Sequence, residues 1–427
     1  MKAQMSDPHE LGPAVGTVTV LPGAARRDGL PIALTSFVGR ERELAELRDE
    51  LARTRLLTLT GAGGCGKTRL ALRLVSELAD RFPGGVRWVE LTPVADERLV
   101  AAAIGEALGV RPLPGVSELQ ACAAYLASRR SLVILDNCEH LLGACAEAAE
   151  TLLRAGREVV VVATSRAPLS ASSETTWRVP SLSLPAKGVS AETLADSDAA
   201  SLFVERARQA RPRLELTDTT AYAVARICEA LDGMPLAIEL AAARLRVLSV
   251  EQIAAGVSDR FRLLTGGPRT AVARQRTLRA SVDWSYELLA SDERVLLRRL
   301  AVFAGGFALD AVENVCAGDG IAPENVLDLL GSLVDQSLVV SEERVGGMRY
   351  RLLETVRQYS RERLTEAGEA DALRARHCEA CLAFAEEAAA HLESAEHRAW
   401  LGRLDPEAAN LAAAIEHALA SGSAMNV

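Results

Sequence analysis

Two stretches of this 427-residue chain carry residue types suited to phosphate chemistry. Gly61-Ala62-Gly63-Gly64-Cys65-Gly66-Lys67-Thr68 satisfies G-x-x-x-x-G-K-[ST] without a mismatch. Gly61, Gly63, Gly64 and Gly66 let backbone N–H groups turn toward an anion, and a helix opening near Gly66 adds the positive end of its dipole. Lys67 supplies a compact ammonium for the β- and γ-phosphates, Thr68 a hydroxyl for Mg²⁺, and Arg69 extends the contacting segment. Lysine occurs only at Lys2, Lys67 and Lys187 among 48 basic residues, so a chain that otherwise uses arginine keeps lysine where a planar guanidinium would not fit. In the second stretch, SLVILDNCEH, an apolar run ends at Asp136, a carboxylate expected to steady Mg²⁺ mostly through water. Asn137 follows and can orient water but not take its proton. Glu139 is then the nearest candidate base, and equally a first-turn helix residue favoured by the dipole.

Arg166 closes the apolar run VVATSR, where it would sense a γ-phosphate; the alternative is a surface arginine. Pro235, in DGMPLAIEL, suits a first helical turn. The expected catalytic group is thus Lys67, Asp136, Glu139 and Arg166, with Thr68 and Asp136 for Mg²⁺ and ATP or ADP as ligand.

These residues need a scaffold that brings strand ends together. From Arg55 strand and helix patterns alternate; RLLTLTG reads as a strand, and SLVILDN and EVVVVATSR as apolar strands, as in a parallel sheet buried on both faces. The expected fold is an α/β P-loop domain with a parallel sheet, then a helical bundle, a winged helix and the start of an α-helical, TPR-like array. The expected boundaries are a flexible leader over 1–34, the nucleotide-binding domain over 35–195, the bundle over 196–270, the winged helix over 271–355 with a turn at Gly346-Gly347, and a helical segment over 356–427.

Composition narrows the function classes. A formal charge of −9 argues against a nucleic-acid coat, no apolar run has the length of a membrane span, and the N-terminal residues lack a signal-peptide pattern. Eight cysteines in a chain this long do not read as a disulfide framework, and a reducing cytoplasm is the expected setting. His377, Cys378 and Cys381 lack a second ligand pair for zinc. Arg269, Arg274, Arg276 and Arg279 read as a solvated hinge.

The motifs TSFVGRERE, GAGGCGKTRLA, LVILDNCEHL, ATSRAPL, GMPLAIELAAARL, QRTLRASVDWSYELL and YRLLETVRQYSRERL, in this order, resemble the STAND class of P-loop NTPases and its NB-ARC-like bacterial branch. Such modules occur in large bacterial transcriptional regulators, including LuxR-like proteins and relatives of antibiotic-pathway activators. The resemblance implies that Val38, Gly39 and Arg40 lie near adenine and ribose, that Pro235 packs on the base, and that the winged helix is an internal clamp, with direct DNA binding disfavoured. It aligns the Met-His-Asp signal with Leu352-Leu353-Glu354, so the phosphate-contacting histidine is missing. It further implies an ATP/ADP-dependent signalling switch with slow hydrolysis, and protein partners or self-assembly in the ATP form. The rivals are an AAA+ motor, which normally has a carboxylate where Asn137 stands, a small-molecule kinase, which would leave more than half of the chain unexplained, and a regulator whose winged helix reads DNA despite the acidic DLLGSLVDQS.

Overall fold

A computed structural model of the chain describes residues 14–15, 18–20, 30–32, 35–186, 188–257, 264, 278–344, 347–392 and 397–421. The chain forms two compact units. The first runs to Arg206 and takes in Met234–Leu236; the second holds Ala207–Gly233 and the chain from Ala237 onward.

The first unit is built on five strands: β3 (Leu56–Thr60), β4 (Val86–Glu90), β6 (Ser131–Asp136), β7 (Val159–Thr164) and β8 (Glu174–Arg178). Their order is β4-β6-β7-β3-β8, and every neighbouring pair is parallel. β3 lies between β7 and β8, yet the chain leaves it to build β4 at the far edge. The strand order therefore reverses beside β3, and in such sheets ligands bind outside the carboxyl ends of the strands at that point. β3 and β6 are buried at every position, Thr58 and Thr60 of β3 included, as in a sheet covered on both faces.

Helices cover the sheet. α1 (Glu41–Arg53) buries Leu44 and Leu47, and α2 (Lys67–Leu78) buries Leu70, Ala71, Leu74, Val75 and Leu78 along one face. Leu56, Val89, Val133, Leu135 and Val161 share a core with residues of α3 (Val100–Leu108), α4 (Glu118–Leu126) and α5 (Leu142–Ala155). Each fully buried leucine there contributes about 1.5–3 kcal/mol, so the sheet that carries the strand ends is held rigidly.

One expectation needs correction. The leader over 1–34 lies mostly outside the described residues, but β1 (Ala14–Val15) and β2 (Val18–Val20) are strands, and β2 pairs antiparallel with β5 (Val110–Pro112). The β-branched alternation in VGTVTV has the propensity for this, although two- and three-residue strands leave almost no periodic signal.

In the second unit, the helix boundary expected near 196 shifts, because α6 (Asp198–Ala210) begins in the first unit. α7 (Asp218–Ala230), the body of α8 (Pro235–Ala243) and α9 (Val250–Gly256) make the bundle. α10 (Leu278–Glu287), α11 (Ser291–Arg299), α12 (Leu309–Cys316) and α13 (Val326–Asp335) lead into an antiparallel ribbon of β9 (Val339–Arg344) and β10 (Gly347–Leu352), the outline of a winged helix. Gly346 of the expected turn, and Arg269, Arg274 and Arg276 of the expected hinge, lie outside the described residues; Arg279 pairs with Glu362 at 2.7 Å. α14 (Glu354–Glu366), α15 (Ala370–Leu392), α16 (His397–Leu404) and α17 (Ala408–Ser421) form the helical C-terminal region.

The bundle, winged helix and C-terminal helices are one body, not three. The Asp232 carboxylate accepts the N–H of Glu354 at 2.7 Å, capping α14. Asn410 of α17 accepts the N–H of Ala304 at 3.0 Å and donates to the Gly306 carbonyl at 2.9 Å. Arg299, 2% exposed, donates to the carbonyls of Cys316 (2.8 Å), Gly318 (2.6 Å) and Asp319 (3.1 Å) and to Glu369 (2.7 Å). Burial works to raise the Glu369 carboxyl, but Arg298 and Arg299 outweigh it and hold it below its usual range. Arg299→Met strands these acceptors and should destabilise the second unit by about 3–5 kcal/mol. A denaturant titration followed by tryptophan fluorescence measures this, and an unchanged midpoint would show the clamp to be dispensable.

Candidate functional site

The glycine-rich loop joins β3 to α2. Gly61, Gly64 and Gly66 have φ of +151°, +85° and +95°, conformations that side-chained residues rarely adopt. Gly63 and Gly64 make the turn, and Gly66 caps α2. Lys67 folds back over the loop, its Nζ donating to the carbonyls of Gly61 (2.6 Å) and Ala62 (3.2 Å). Two neutral carbonyls give an ammonium hydrogen bonds but no counter-charge, so the site fits an anionic phosphate.

Asp136, at the carboxyl end of β6, reaches the same place. Its Oδ1 accepts the Thr68 hydroxyl at 2.8 Å and the Thr164 hydroxyl at 2.5 Å. Burial pushes the Asp136 carboxyl above its usual range; the Thr164 and Thr68 hydroxyls pull it down, and the charges of Glu139 and Glu90 push it up. A buried carboxylate beside the Thr68 hydroxyl fits a Mg²⁺ ion that keeps most of its waters. Thr164 was not legible as a site residue. It also accepts the N–H of Asn137 at 2.9 Å, and its carbonyl accepts the N–H of Cys138 at 2.9 Å. The end of β7 thus fixes the turn after Asp136, where Asn137 sits at φ +70°. Parallel pairing of β6 with β7 is the signal that could have pointed to it.

Glu139 precedes α5, which begins at Leu142, so the first-turn helix reading does not hold. Its Oε1 instead meets Arg166 Nε at 3.3 Å, with both side chains almost fully buried. Arg166 therefore lies at the strand edge but is no surface arginine.

The remaining expected contacts divide. Pro235 begins α8, and its Cγ lies 3.9 Å from where a Cβ on Gly66 would be. The Leu236 N–H donates to the Gly64 carbonyl at 3.2 Å, and a Cβ on Gly64 would meet Leu236 Cβ at 2.8 Å. Val38 is half-buried. Gly39, at φ +67°, leaves room for Asp198, which a Cβ would overlap at 2.2 Å. Arg40 is 3% exposed, and its guanidinium donates to the carbonyls of Cys65 (2.8 Å) and Pro180 (2.9 Å), bracing the phosphate loop from beneath. Burial lowers its pKa against the opposing influence of Cys65, Glu43 and Asp198. Arg69 turns to the carbonyls of Thr35 (3.1 Å) and Ser36, away from the loop. Among the described residues no group of three or more His, Cys, Asp or Glu side chains could hold a metal by itself; Cys381 Sγ lies 3.6 Å from His377 Nε2.

Known proteins resemble this chain over most of its length. Residues 289–365 match the description "Winged helix-turn-helix domain". A Mycobacterium tuberculosis protein, provisionally named an HTH-type transcriptional regulator, is 46% identical over 368 residues, which is 86% of this chain and 40% of that protein. An uncharacterized protein of the same species is 45% identical over 346 residues, 81% of this chain and 85% of that one. The regulatory protein AfsR of Streptomyces coelicolor is 28% identical over 378 residues, 83% of this chain and 35% of AfsR. The chain thus spans well under half the length of the named regulators it matches. Among solved structures, the Walker-type ATPase of Pyrococcus abyssi is similar at 14% identity and a TM-score of 0.48, over 76% of this chain and 96% of that one. Residues 33–302, more than half of the chain, match "Novel STAND NTPase 1", and with the phosphate loop, the strand order and Asp136 in place the chain belongs to that STAND NTPase family.

Proposed function

We propose that this chain is the nucleotide-operated switch of a transcriptional regulator, held in one form by ADP and released to another by ATP. The observation that carries the reading is the short segment 232–236. At one end Leu236 bonds the phosphate loop and Pro235 lies beside Gly66; at the other Asp232 caps the helix that follows the winged ribbon. A change at the loop therefore has a five-residue path to the winged-helix unit. A ligand shifts such a balance only by its differential affinity for the two forms, and a nearly complete reversal needs about 5.5 kcal/mol.

The residues divide the work. Loop amides and Lys67 hold phosphate, and Thr68 and Asp136 would hold Mg²⁺, which screens phosphate charge. Arg166 reads the γ-phosphate by giving up part of its pairing with Glu139. Hydrolysis is a slow reset, because Asn137 cannot take a proton. The ATP form recruits protein partners or further copies. The regulator names and the winged-helix match also favour a second reading, direct DNA contact. Against it, α13 carries Asp328 and Asp335 and no basic residue, a poor surface for phosphates. A cytoplasmic setting suits either reading; no described helix is long and apolar enough to cross a membrane.

Two substitutions test the switch. Lys67→Ala should weaken ATP and ADP binding by about 100-fold or more, the loss of a charged phosphate contact, without lowering the unliganded unfolding midpoint. Calorimetric titration showing parental affinity would remove the loop from the site. Asp232→Ala removes a helix cap worth about 1–2 kcal/mol and should speed release of fluorescent ADP by about 5- to 30-fold. An unchanged release rate in stopped-flow would mean that segment 232–236 transmits nothing.

A further inference from the structure

The proposed reset needs a carboxylate to accept the proton of the attacking water, and both positions after Asp136 fail. Asn137 is an amide. Glu139 is almost fully buried, with Oε1 on Arg166 at 3.3 Å, and so lacks an open route by which an accepted proton could return to solvent. β4 supplies another. It runs parallel to β6, and Glu90 is the register partner of Asp136, with the Leu91 N–H donating to the Asp136 carbonyl at 3.0 Å. Register partners in a parallel pair lie about 4.8 Å apart and project to the same face of the sheet. Glu90 is thus at the same carboxyl edge and on the same face as the residue assigned to the metal. It is the one exposed position of β4, whose other four residues are buried. No hydrogen bond or ion pair engages its side chain among the described residues. Its charge also acts on Asp136, in keeping with that proximity.

We propose that Glu90, contributed by the strand beside Asp136, is the general base of ATP hydrolysis. This rests on the nucleotide-switch reading above. As the water oxygen bonds to the γ-phosphorus, its proton passes to the Glu90 carboxylate. The bond from the γ-phosphorus to the β–γ bridging oxygen breaks, and its electron pair leaves with ADP. The exposed Glu90 then returns the proton to solvent. Glu139 serves otherwise, by holding Arg166 until a γ-phosphate competes for the guanidinium.

Single-turnover hydrolysis of labelled ATP by the full chain with Mg²⁺ tests this, alongside ATP affinity measured with a fluorescent analogue. Glu90→Gln should slow hydrolysis by about 100-fold or more, as expected for loss of a general base, and keep ATP affinity within about twofold. Glu90→Asp should bind ATP normally and recover part of the rate. Glu139→Gln should alter the preference for ATP over ADP. A Glu90→Gln rate within about threefold of the parent overturns the assignment, since a lost general base costs far more. So does a loss of ATP affinity that matches the loss of rate in both Glu90 variants, which would make Glu90 a binding residue. A parent that binds ATP without hydrolysing it overturns the base and leaves the switch standing, whereas a parent that binds neither nucleotide overturns the switch reading itself.

Discussion

The site is organised around one buried negative charge. Asp136 is 6% exposed, and burial alone would drive it toward the neutral acid. Two hydroxyls oppose that drive, and each belongs to a different element. Thr68 ties the carboxylate to the first turn of α2, and Thr164 ties it to the end of β7. The phosphate loop, the Asp136 strand and the Arg166 strand are therefore braced by a single carboxylate oxygen. The charges of Glu139 and Glu90 act in the same direction as burial.

Much of this was legible in the residues themselves. The loop motif, the apolar run into Asp136 and the one into Arg166 specify a parallel sheet with its chemistry at the carboxyl edge, because strands buried on both faces leave an unbroken apolar signature. What could not be read was pairing across strands. Thr164 and Glu90 are ordinary residues until register sets them beside Asp136. Glu139 looked equally like a base and like a helix residue, and only the start of α5 at Leu142 and the buried Arg166 separate these from the ion pair observed. Arg40 shows the opposite limit. Its place in the VGR motif is plain, but its guanidinium braces loop carbonyls, and nothing in the spacing indicates which way a long side chain turns. The short strands β1, β2 and β5 escaped for lack of length.

The departure at Leu353 finds a physical counterpart. Where the resemblance leads one to expect a histidine directed at phosphate, this chain has an aliphatic side chain. The adjacent backbone N–H, of Glu354, is instead bound by Asp232. Within the second unit a helix cap thus occupies the place of that contact, and the chain between Gly233 and Met234 joins the two units covalently. In the switch proposed above, a cap worth about 1–2 kcal/mol would tune the two-state balance without locking it, and the larger part of the bias would fall to the nucleotide.

That division of labour makes retained nucleotide the most direct measure of the account. The chain, purified without added nucleotide, can be denatured and its supernatant resolved by ion-exchange chromatography. A switch held closed by ADP predicts stoichiometric ADP in the released fraction. An empty site, in a protein that turns over ATP at or above the enzyme median of about 10 s⁻¹, would contradict it and return the chain to the motors and kinases.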